Sequence, residues 1–338
     1  MVEGWKMAYV VAVDAGGTAT RAVVADVEGR CLGYALAGGG NPVSAGAEAA
    51  MIAFRDGLER ALGQAGVAGD EVELVLLAMA GDVVGDRAGE LSRLLRHLGL
   101  TAPAVVEGDL LGAYCSGAPE LDGYCLEAGT GSGAIRVEGG RLAASADGLG
   151  WLLGDEGSGF WIGRRALAAG LADLDGRGPA TGLTTLVLAE LGLPDDRRPG
   201  EHGRPAVIDQ GLRLVYADPP VALARFARLV FELADDPVAQ SIRQAAGRRL
   251  AATLGALVVP QVAGPVVLAG SVLTRQPELA AQVSRAGAAG FARPPEYRLV
   301  ADGAVGAVVL ALRRLGRPVD RAVFERVAAT LGALPGRR

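Results

Sequence analysis

The 338-residue chain is long enough for two domains of ordinary size, and half of its residues are hydrophobic, which is enough for two cores. Its formal net charge is −5, and acidic residues and arginines are interspersed along it. A nucleic-acid-binding protein would show a basic stripe instead, so this composition argues against a nucleic-acid partner. We expect small soluble ligands.

The sequence also gives expectations about location. It contains no run of about twenty uncharged apolar residues, and its first residues lack the order of a signal peptide. Its three cysteines, Cys31, Cys115 and Cys125, form no CxxC pair, which is typical of a reducing compartment. We expect a cytoplasmic protein with no membrane partner.

Two basic residue types are scarce, and this limits the possible chemistry. Lys6 is the only lysine, and His97 and His202 are the only histidines. His97 is expected on the surface near a helix C-terminus, and His202 in an exposed loop. Schiff-base enzymes, P-loop NTPases and Ser-His-Asp hydrolases each need a residue that is missing or badly placed. Carboxylates are therefore the leading candidates for acid–base work.

Strands and helices alternate in the first third of the chain. Strands are predicted over residues 8–13, 21–27, 32–36, 74–78 and 104–106, and helices over 45–62, 87–98 and 110–115. A loop is predicted at Gly81-Asp82. This order predicts an α/β fold with a mixed sheet and helices packed on its faces.

Candidate site residues follow several of these strands. Asp14 ends the first strand and could hold the water shell of a metal, and Gly16-Gly17-Thr18 lets backbone N–H groups approach an anion. An ordinary hairpin would explain the same residues. Asn41 could be only a turn residue, and helix capping alone would justify Asp109 at its strand end.

An internal repeat links two parts of the chain. Residues 124–141 echo residues 11–30, with a strand, a small-residue turn, a second strand and a Glu-Gly turn in each copy. The run Gly129–Gly133 is not a dinucleotide fingerprint, because a strand and not a helix is predicted after it. The repeat predicts duplicated domains, 1–118 and 119–338, whose turns would grip the phosphates of a nucleotide across a cleft.

The stretch Gly148–Gly163 has the strongest site character. It contains six glycines, which suggests backbone with positive φ or backbone that lies against a ligand. Asp155-Glu156 is predicted to stand where a helix starts, because acids favour the positive end of a helix dipole. A glycine-rich loop capped by an acid is the alternative interpretation.

The remaining chain is predicted to be mostly helical. Helices are expected over 164–171, 182–191, 221–234 and 236–258, as insertions over about 164–260 within the second copy. A strand is then predicted from Val266 into a turn at Gly270-Ser271, another over 297–300, and a closing helix over 305–315. A strand-end Gly-Ser is a usual place for a nucleoside.

Taken together, these motifs resemble a known family. The set Asp14-x-Gly-Gly-Thr, Gly-Asp109, Gly129-Thr-Gly-Ser and Gly148-x-Gly-x-x-x-Gly-Asp-Glu-Gly-Ser-Gly is similar to the BadF/BadG/BcrA/BcrD ATPases of the sugar kinase, Hsp70 and actin superfamily. The resemblance covers roughly residues 8 to 315 and is strongest to the N-acetylglucosamine kinase branch. It implies duplicated ribonuclease H-like domains and ATP-dependent phosphorylation of a hydroxyl, the 6-hydroxyl, of an amino sugar such as N-acetylglucosamine or glucosamine.

The resemblance also implies roles for individual residues. Asp109 would be the general base, and Asp14 would hold Mg²⁺. The residues that it implies for ATP are Gly16, Gly17, Thr18, Gly129, Thr130, Gly131, Gly270 and Ser271. The residues that it implies for the sugar are Asn41, Asp109, Gly148, Leu149, Gly150 and Asp155.

The chain departs from the family pattern at three positions. Ala15 replaces a usual glycine, Ala19 a basic residue, and Gly108 a common asparagine, but no catalytic carboxylate is lost. An alternative within the same group is an ATP-driven activator of a 2-hydroxyacyl-CoA dehydratase, which would need cysteines for an iron–sulfur cluster. Apolar helices after residue 220 could supply a face for a homodimer.

Overall fold

The computed structural model describes residues 8–41, 46–79, 86–200 and 202–337. The chain forms two compact units. The first comprises Met1–Leu121, Gly139–Arg141 and Val300–Arg338, and the second comprises Asp122–Glu138 and Leu142–Leu299. This division differs from the predicted domains, because residues 300–338 belong to the first unit.

In the described part of the first unit, five strands form a mixed sheet in the order β3-β2-β1-β4-β5. Their bounds are β1 Tyr9–Ala15, β2 Thr20–Asp26, β3 Cys31–Ala37, β4 Val72–Met79 and β5 Ala104–Glu107. β1 pairs antiparallel with β2 and parallel with β4, and β4 pairs parallel with β5. Every residue of β1 is buried, as expected for a central strand with both faces covered. The loop predicted at Gly81-Asp82 lies outside the described residues.

Helices cover this sheet. They are α1 Ala47–Ala65, α2 Asp86–His97 and α3 Asp109–Gly117, followed much later in the chain by α12 Ala304–Arg314 and α13 Arg321–Gly332. α12 is almost wholly apolar and packs on β1, β4 and α3, so its apolar face is buried in the first unit. This packing explains why residues 300–338 do not belong with the second unit. α12 is not the closing helix of the chain, because α13 follows it.

The second unit repeats the strand order of the first. Its strands are β6 Gly123–Ala128, β7 Ser132–Glu138, β8 Arg141–Asp147, β9 Val266–Ala269 and β10 Tyr297–Val300. Among the described residues they form a five-stranded sheet in the order β10-β9-β6-β7-β8, with β6 antiparallel to β7 and parallel to β9. In both sheets the first strand is central, between the second and fourth strands of its unit. The predicted duplication is confirmed, and the ligand cleft between the copies stays a prediction.

The helices of the second unit fill the long connection between β8 and β9 and the connection after β9. They are α4 Gly150–Leu153, α5 Gly159–Leu174, α6 Leu183–Glu190, α7 Ala206–Ala217, α8 Leu229–Glu232, α9 Pro237–Gly255, α10 Ser271–Arg275 and α11 Pro277–Gly287. Short 3₁₀ helices occur at Gly69–Glu71, Pro220–Arg228 and Ala288–Gly290. α5 and α9 contribute buried residues to the core that covers the sheet. Among the residues that the structure describes, no helix is both long and apolar enough to cross a membrane.

Candidate functional site

Asp14 is buried near the carboxyl end of β1. Its Oδ2 accepts hydrogen bonds from Arg21 Nη1 at 3.0 Å and from the backbone nitrogen of Gly303 at 3.1 Å. Burial raises the pKa of the Asp14 carboxyl to about 6, while the nearby Arg21 charge acts in the opposite direction. Asp14 is thus a buried carboxylate held in place by one cation and one backbone donor.

A second acid, Asp302, extends this arrangement. Its Oδ2 lies 3.3 Å from Arg21 Nε, and its two oxygens accept bonds from Arg337 at 2.8 and 3.0 Å. Arg21 therefore lies between two carboxylates and contacts both. Asp302 was not predicted as a site residue, although it follows the end of β10 and directly precedes Gly303.

The turn Gly16–Ala19 joins β1 to β2 and contacts the segment that carries Asn41. Gly16 N donates to Ala19 O at 2.9 Å, and Gly16 O accepts from the backbone nitrogens of Gly40 and Asn41, both at 3.1 Å. Thr18 is exposed in this turn. The structure therefore brings a residue predicted for the nucleotide next to one predicted for the sugar.

Asp109 is half-buried and follows β5. The helix α3 begins at Asp109 itself and Gly108 occupies the N-cap position, so the interpretation of Asp109 as the cap residue is wrong. Its Oδ1 accepts the N–H of Leu110 at 2.8 Å, and burial raises the pKa of its carboxyl. A raised pKa makes this carboxylate a stronger base than an exposed aspartate.

The sheet register relates Asp14 to Asp109. Asp14 pairs with Ala78 of β4, and Ala78 pairs with Glu107 of β5, two residues before Asp109. Because β1, β4 and β5 run parallel, the chain segments that carry Asp14 and Asp109 leave the sheet at the same edge. Ligands of open α/β sheets usually bind at this carboxyl edge.

In the second unit, the turn Gly129–Gly131 packs against the start of α5. Gly159 N donates to Gly129 O at 2.8 Å, and Phe160 N donates to Thr130 O at 3.0 Å. Gly129 and Gly131 also bond to each other through their backbones at 2.9 Å. The turn is thereby held by the first residues of a helix.

The glycine-rich stretch adds its own contacts to this turn. Gly148 N donates to Ser132 O at 3.0 Å, and Asp155 Oδ1 accepts the N–H of Ser132 at 3.0 Å. Asp155 is buried, and burial raises the pKa of its carboxyl. The structure therefore places Gly148 and Asp155, which were predicted to bind the sugar, beside the end of the turn that was predicted to bind ATP.

Asp155 does not start a helix, contrary to prediction. α5 begins at Gly159, and Ser158 is its N-cap residue, with Oγ accepting the N–H of Trp161 at 3.2 Å. The prediction about backbone conformation is confirmed at three of the six glycines, since Gly148, Gly150 and Gly157 have positive φ.

The predicted nucleoside residues adjoin the same turn. Gly270 has a φ of 86°, and a Cβ on it would lie 2.4 Å from the backbone oxygen of Ala128, next to Gly129. Ser271 is exposed at the start of α10. The predicted site residues of the second unit thus lie around one loop system, whereas Asp14, Asn41 and Asp109 lie in the first unit.

The cysteines do not resemble cluster ligands. Cys31, Cys115 and Cys125 are buried, and none of them forms a disulfide bond with another described residue. Burial raises the pKa of Cys31 to about 12 and that of Cys115 to about 11. The thiolate is the form that binds iron, so these environments do not favour the activator alternative.

The carboxylates of this site fit Mg²⁺ that is bound together with the phosphates of a nucleotide. Within the described ranges, no group of three or more His, Cys, Asp or Glu residues is arranged to hold a metal ion. Mg²⁺ commonly binds through one or two carboxylates together with substrate phosphates, and does not need an all-protein cage. Asp14, a carboxylate two residues before the glycine turn, is a suitable residue for that role.

The histidines occupy the expected positions. His97 is exposed at the end of α2, and His202 is exposed, with Nδ1 3.1 Å from Asp209 Oδ2.

Curated proteins give two relevant similarities. The chain is 30% identical over 176 residues to an N-acetylmuramic acid/N-acetylglucosamine kinase from Clostridium acetobutylicum, covering 52% of this chain and 57% of the relative. It is 29% identical over 184 residues to a glucosamine kinase from Vibrio cholerae, covering 54% of this chain and 61% of the relative. The chain therefore aligns with less than two thirds of the length of either relative.

A solved structure and a family match extend the comparison along the chain. A protein from Chromobacterium violaceum, provisionally assigned as an N-acetylglucosamine kinase, is 26% identical, with a TM-score of 0.69 over 91% of this chain and 100% of that one. A sequence model of the BadF/BadG/BcrA/BcrD ATPase family matches residues 11–311. The duplicated sheets, the glycine turns and this match establish that the chain belongs to the BadF/BadG/BcrA/BcrD ATPase family.

Proposed function

We propose that the protein is an ATP-dependent kinase that phosphorylates an amino sugar, with the 6-hydroxyl as acceptor and Asp109 as general base. The observation that carries the proposal is the location of Asp14 and Asp109, two buried or half-buried carboxylates on segments leaving one sheet edge beside the glycine turn. Sugar phosphorylation needs one carboxylate for the metal–nucleotide complex and another for the acceptor proton.

Nucleotide binding is assigned to the two glycine turns and to Gly270-Ser271. Backbone N–H groups in such turns can approach phosphate oxygens closely and carry partial positive charge toward them. Magnesium, held by Asp14 and the phosphates, would neutralise charge on the transferred group. The close approach of Gly270 to Ala128 supports this role, because it leaves the backbone beside Gly129 free of side-chain atoms.

Sugar binding is assigned to Asn41, Asp109, Gly148–Gly150 and Asp155. Carboxylates make short, charge-assisted hydrogen bonds to hydroxyl groups. The backbone bonds from Asn41 to Gly16 and from Gly148 to Ser132 support the assignment, since each joins a proposed sugar residue to a phosphate turn or its flank.

In the proposed reaction, the oxygen of the sugar hydroxyl attacks the γ-phosphorus of ATP, and Asp109 accepts the proton of that hydroxyl. The bond between the γ-phosphorus and the β–γ bridging oxygen breaks, and ADP leaves. The raised pKa of Asp109 supports this role, because a carboxylate with a higher pKa is a stronger base. A positioned base typically contributes roughly 10²–10⁴-fold in rate.

The identity of the sugar can be tested with a substrate panel. Release of ADP should be measured with glucose, glucosamine, N-acetylglucosamine and N-acetylmuramate, each at several concentrations with saturating ATP and Mg²⁺. The proposal predicts the highest kcat/KM for an amino sugar. A preference for glucose, or ATP hydrolysis that no sugar stimulates, would contradict it.

The expectations of a cytoplasmic location and of a homodimer formed through helices after residue 220 stay predictions.

A further inference from the structure

Asp147 ends β8 and holds the backbone of the next loop with both of its carboxylate oxygens. Oδ1 accepts the N–H of Asp155 at 2.8 Å, and Oδ2 accepts the N–H of Glu156 at 2.9 Å. These two consecutive donors fix the peptide groups on either side of Asp155. The orientation of the Asp155 side chain is therefore coupled to the Asp147 carboxylate.

The backbone of both acids is in the left-handed region. Asp147 has a φ of 60° and Asp155 a φ of 57°, and they are the two non-glycine residues with positive φ in the described part of the chain. Such conformations are costly and persist where surrounding contacts impose them, often at functional sites. Each acid is thus kept in a conformation that glycine would adopt more easily.

Gly154 makes room for this arrangement. A Cβ on Gly154 would lie 2.1 Å from Asp147 Oδ1, far closer than a non-bonded contact allows. A side chain there would push the carboxylate away from the two N–H groups. The carboxylate of Asp147 can therefore reach the two N–H groups only because residue 154 is a glycine.

The contacts continue from Asp155 into the proposed phosphate turn. Asp155 Oδ1 accepts from Ser132 N, and Ser132 Oγ donates to the backbone oxygen of Glu156 at 3.1 Å. Asp147 therefore supports the two residues that contact the end of the Gly129–Gly131 turn. Asp147 is thus linked to the phosphate turn through Asp155 and Glu156.

We propose that Asp147 is a positioning residue for the kinase site, which orients Asp155 toward the amino sugar without contacting the sugar itself. The proposal rests on the proposed function. Nothing in the assigned substrate or nucleotide set includes Asp147, and its two oxygens are already engaged by backbone donors.

The test uses Asp147→Gly, because glycine adopts a φ of 60° without strain and only the carboxylate is lost. Asp147→Asn is the second variant, since its amide oxygen can still accept one of the two bonds. Asp26→Gly is the matched control: Asp26 Oδ1 also accepts two backbone N–H bonds, from Glu28 at 3.1 Å and Arg30 at 2.7 Å. Asp26 lies at the opposite end of β2 from the Gly16–Ala19 turn.

The first readout needs no substrate. Amide hydrogen exchange should become faster at Asp155 and Glu156 in Asp147→Gly and remain as in the wild type in Asp26→Gly. Unchanged exchange at both amides would overturn the proposal.

The second readout is a double-mutant cycle with Asp155→Gly, using N-acetylglucosamine and the wild-type kcat/KM as reference. We expect Asp147→Gly to lower kcat/KM at least tenfold in the wild-type background and less than twofold when Asp155 is already glycine. In the wild-type background, the kcat/KM of Asp147→Asn should lie between those of the wild type and Asp147→Gly. The kcat/KM of Asp26→Gly should match that of the wild type.

The outcomes separate this inference from the function on which it rests. An equal loss in both backgrounds, or no loss in an active enzyme, overturns the role of Asp147 alone. A wild-type protein that phosphorylates no amino sugar overturns the proposed function first, and the positioning role with it.

Discussion

Asp155 Oδ1 lies 3.0 Å from the backbone nitrogen of Ser132, so this buried acid joins the glycine-rich loop to the start of β7. The relationship gives Asp155 a structural contact in addition to its proposed contact with the sugar. Its effects on stability and on sugar use can be separated by choosing substitutions that keep or remove the bond to Ser132.

For Asp155, we compare asparagine with glycine. Asparagine tolerates a left-handed backbone and keeps an oxygen for Ser132, so the melting temperature of Asp155→Asn should stay close to that of the wild type. Glycine leaves the buried N–H of Ser132 without its acceptor, which costs about 1–3 kcal/mol. Both variants should lower kcat/KM for N-acetylglucosamine more than tenfold, because both remove the charge. Wild-type kinetics in Asp155→Asn would show that the carboxylate only holds the loop.

The pKa of Asp14 predicts a dependence of stability on pH. Because the folded-state pKa of about 6 exceeds the ordinary value of 3.8, the unfolded chain ionises first as the pH rises. The contribution of Asp14 to the free energy of unfolding is therefore full below about pH 4. It is lost as the pH rises through about 6, and the total loss is about 3 kcal/mol.

Urea unfolding of the wild type and of Asp14→Asn at pH 4, 5, 6 and 7 measures this contribution. The wild type should lose stability relative to the variant between pH 4 and 6, and the difference should level off above about pH 7. A difference between the two proteins that is constant from pH 4 to 7 would rule out the raised pKa.

Two glycine substitutions form a matched pair in the first unit. A Cβ on Gly303 would lie 2.7 Å from Asp14 Oδ1, whereas a Cβ on Gly108 would meet no atom within 4 Å. Both residues have negative φ, so alanine strains neither backbone. Gly303→Ala should displace the Asp14 carboxylate and raise KM for ATP at least fivefold.

Gly108→Ala should keep kcat and both KM values within twofold, although it directly precedes Asp109. KM for ATP is measured at saturating sugar and Mg²⁺. Equal effects of the two alanines would argue against a role of Asp14 in nucleotide binding.

Much of the fold was predictable from local patterns. Among the described residues, seven strands lie at or within two residues of their predicted bounds, namely β1 to β5, β9 and β10. The repeat indicated the duplicated sheets. Five helices of the described residues were not predicted: α4, α7, α10, α11 and α13. α7 begins after a Pro/Arg/Gly-rich stretch, and α13 follows the helix taken to be the last, although its N-cap Asp320, which accepts the N–H of Val323, is a sequence signal for a helix start.

The site was only partly predictable, because its support comes from residues far apart in sequence. Acids at strand ends marked Asp14 and Asp109, and glycines marked the loops. The hydrogen bond from Gly303 to Asp14 joins residues 289 positions apart, and no local pattern indicates it. Similarly, the role of Asp147 depends on the backbone N–H groups that its carboxylate accepts. The role of Asp302 depends on the arginines that contact its carboxylate.

The most direct test of the account is the rate of phosphoryl transfer from ATP to N-acetylglucosamine by Asp109→Asn, measured with its melting temperature. Asparagine keeps an oxygen that can accept the N–H of Leu110, so the protein should melt near the wild-type temperature. Because the amide cannot take the acceptor proton, we predict a fall in kcat of at least about 10²-fold. Near-wild-type turnover in the folded variant would contradict the assignment of Asp109 as the general base.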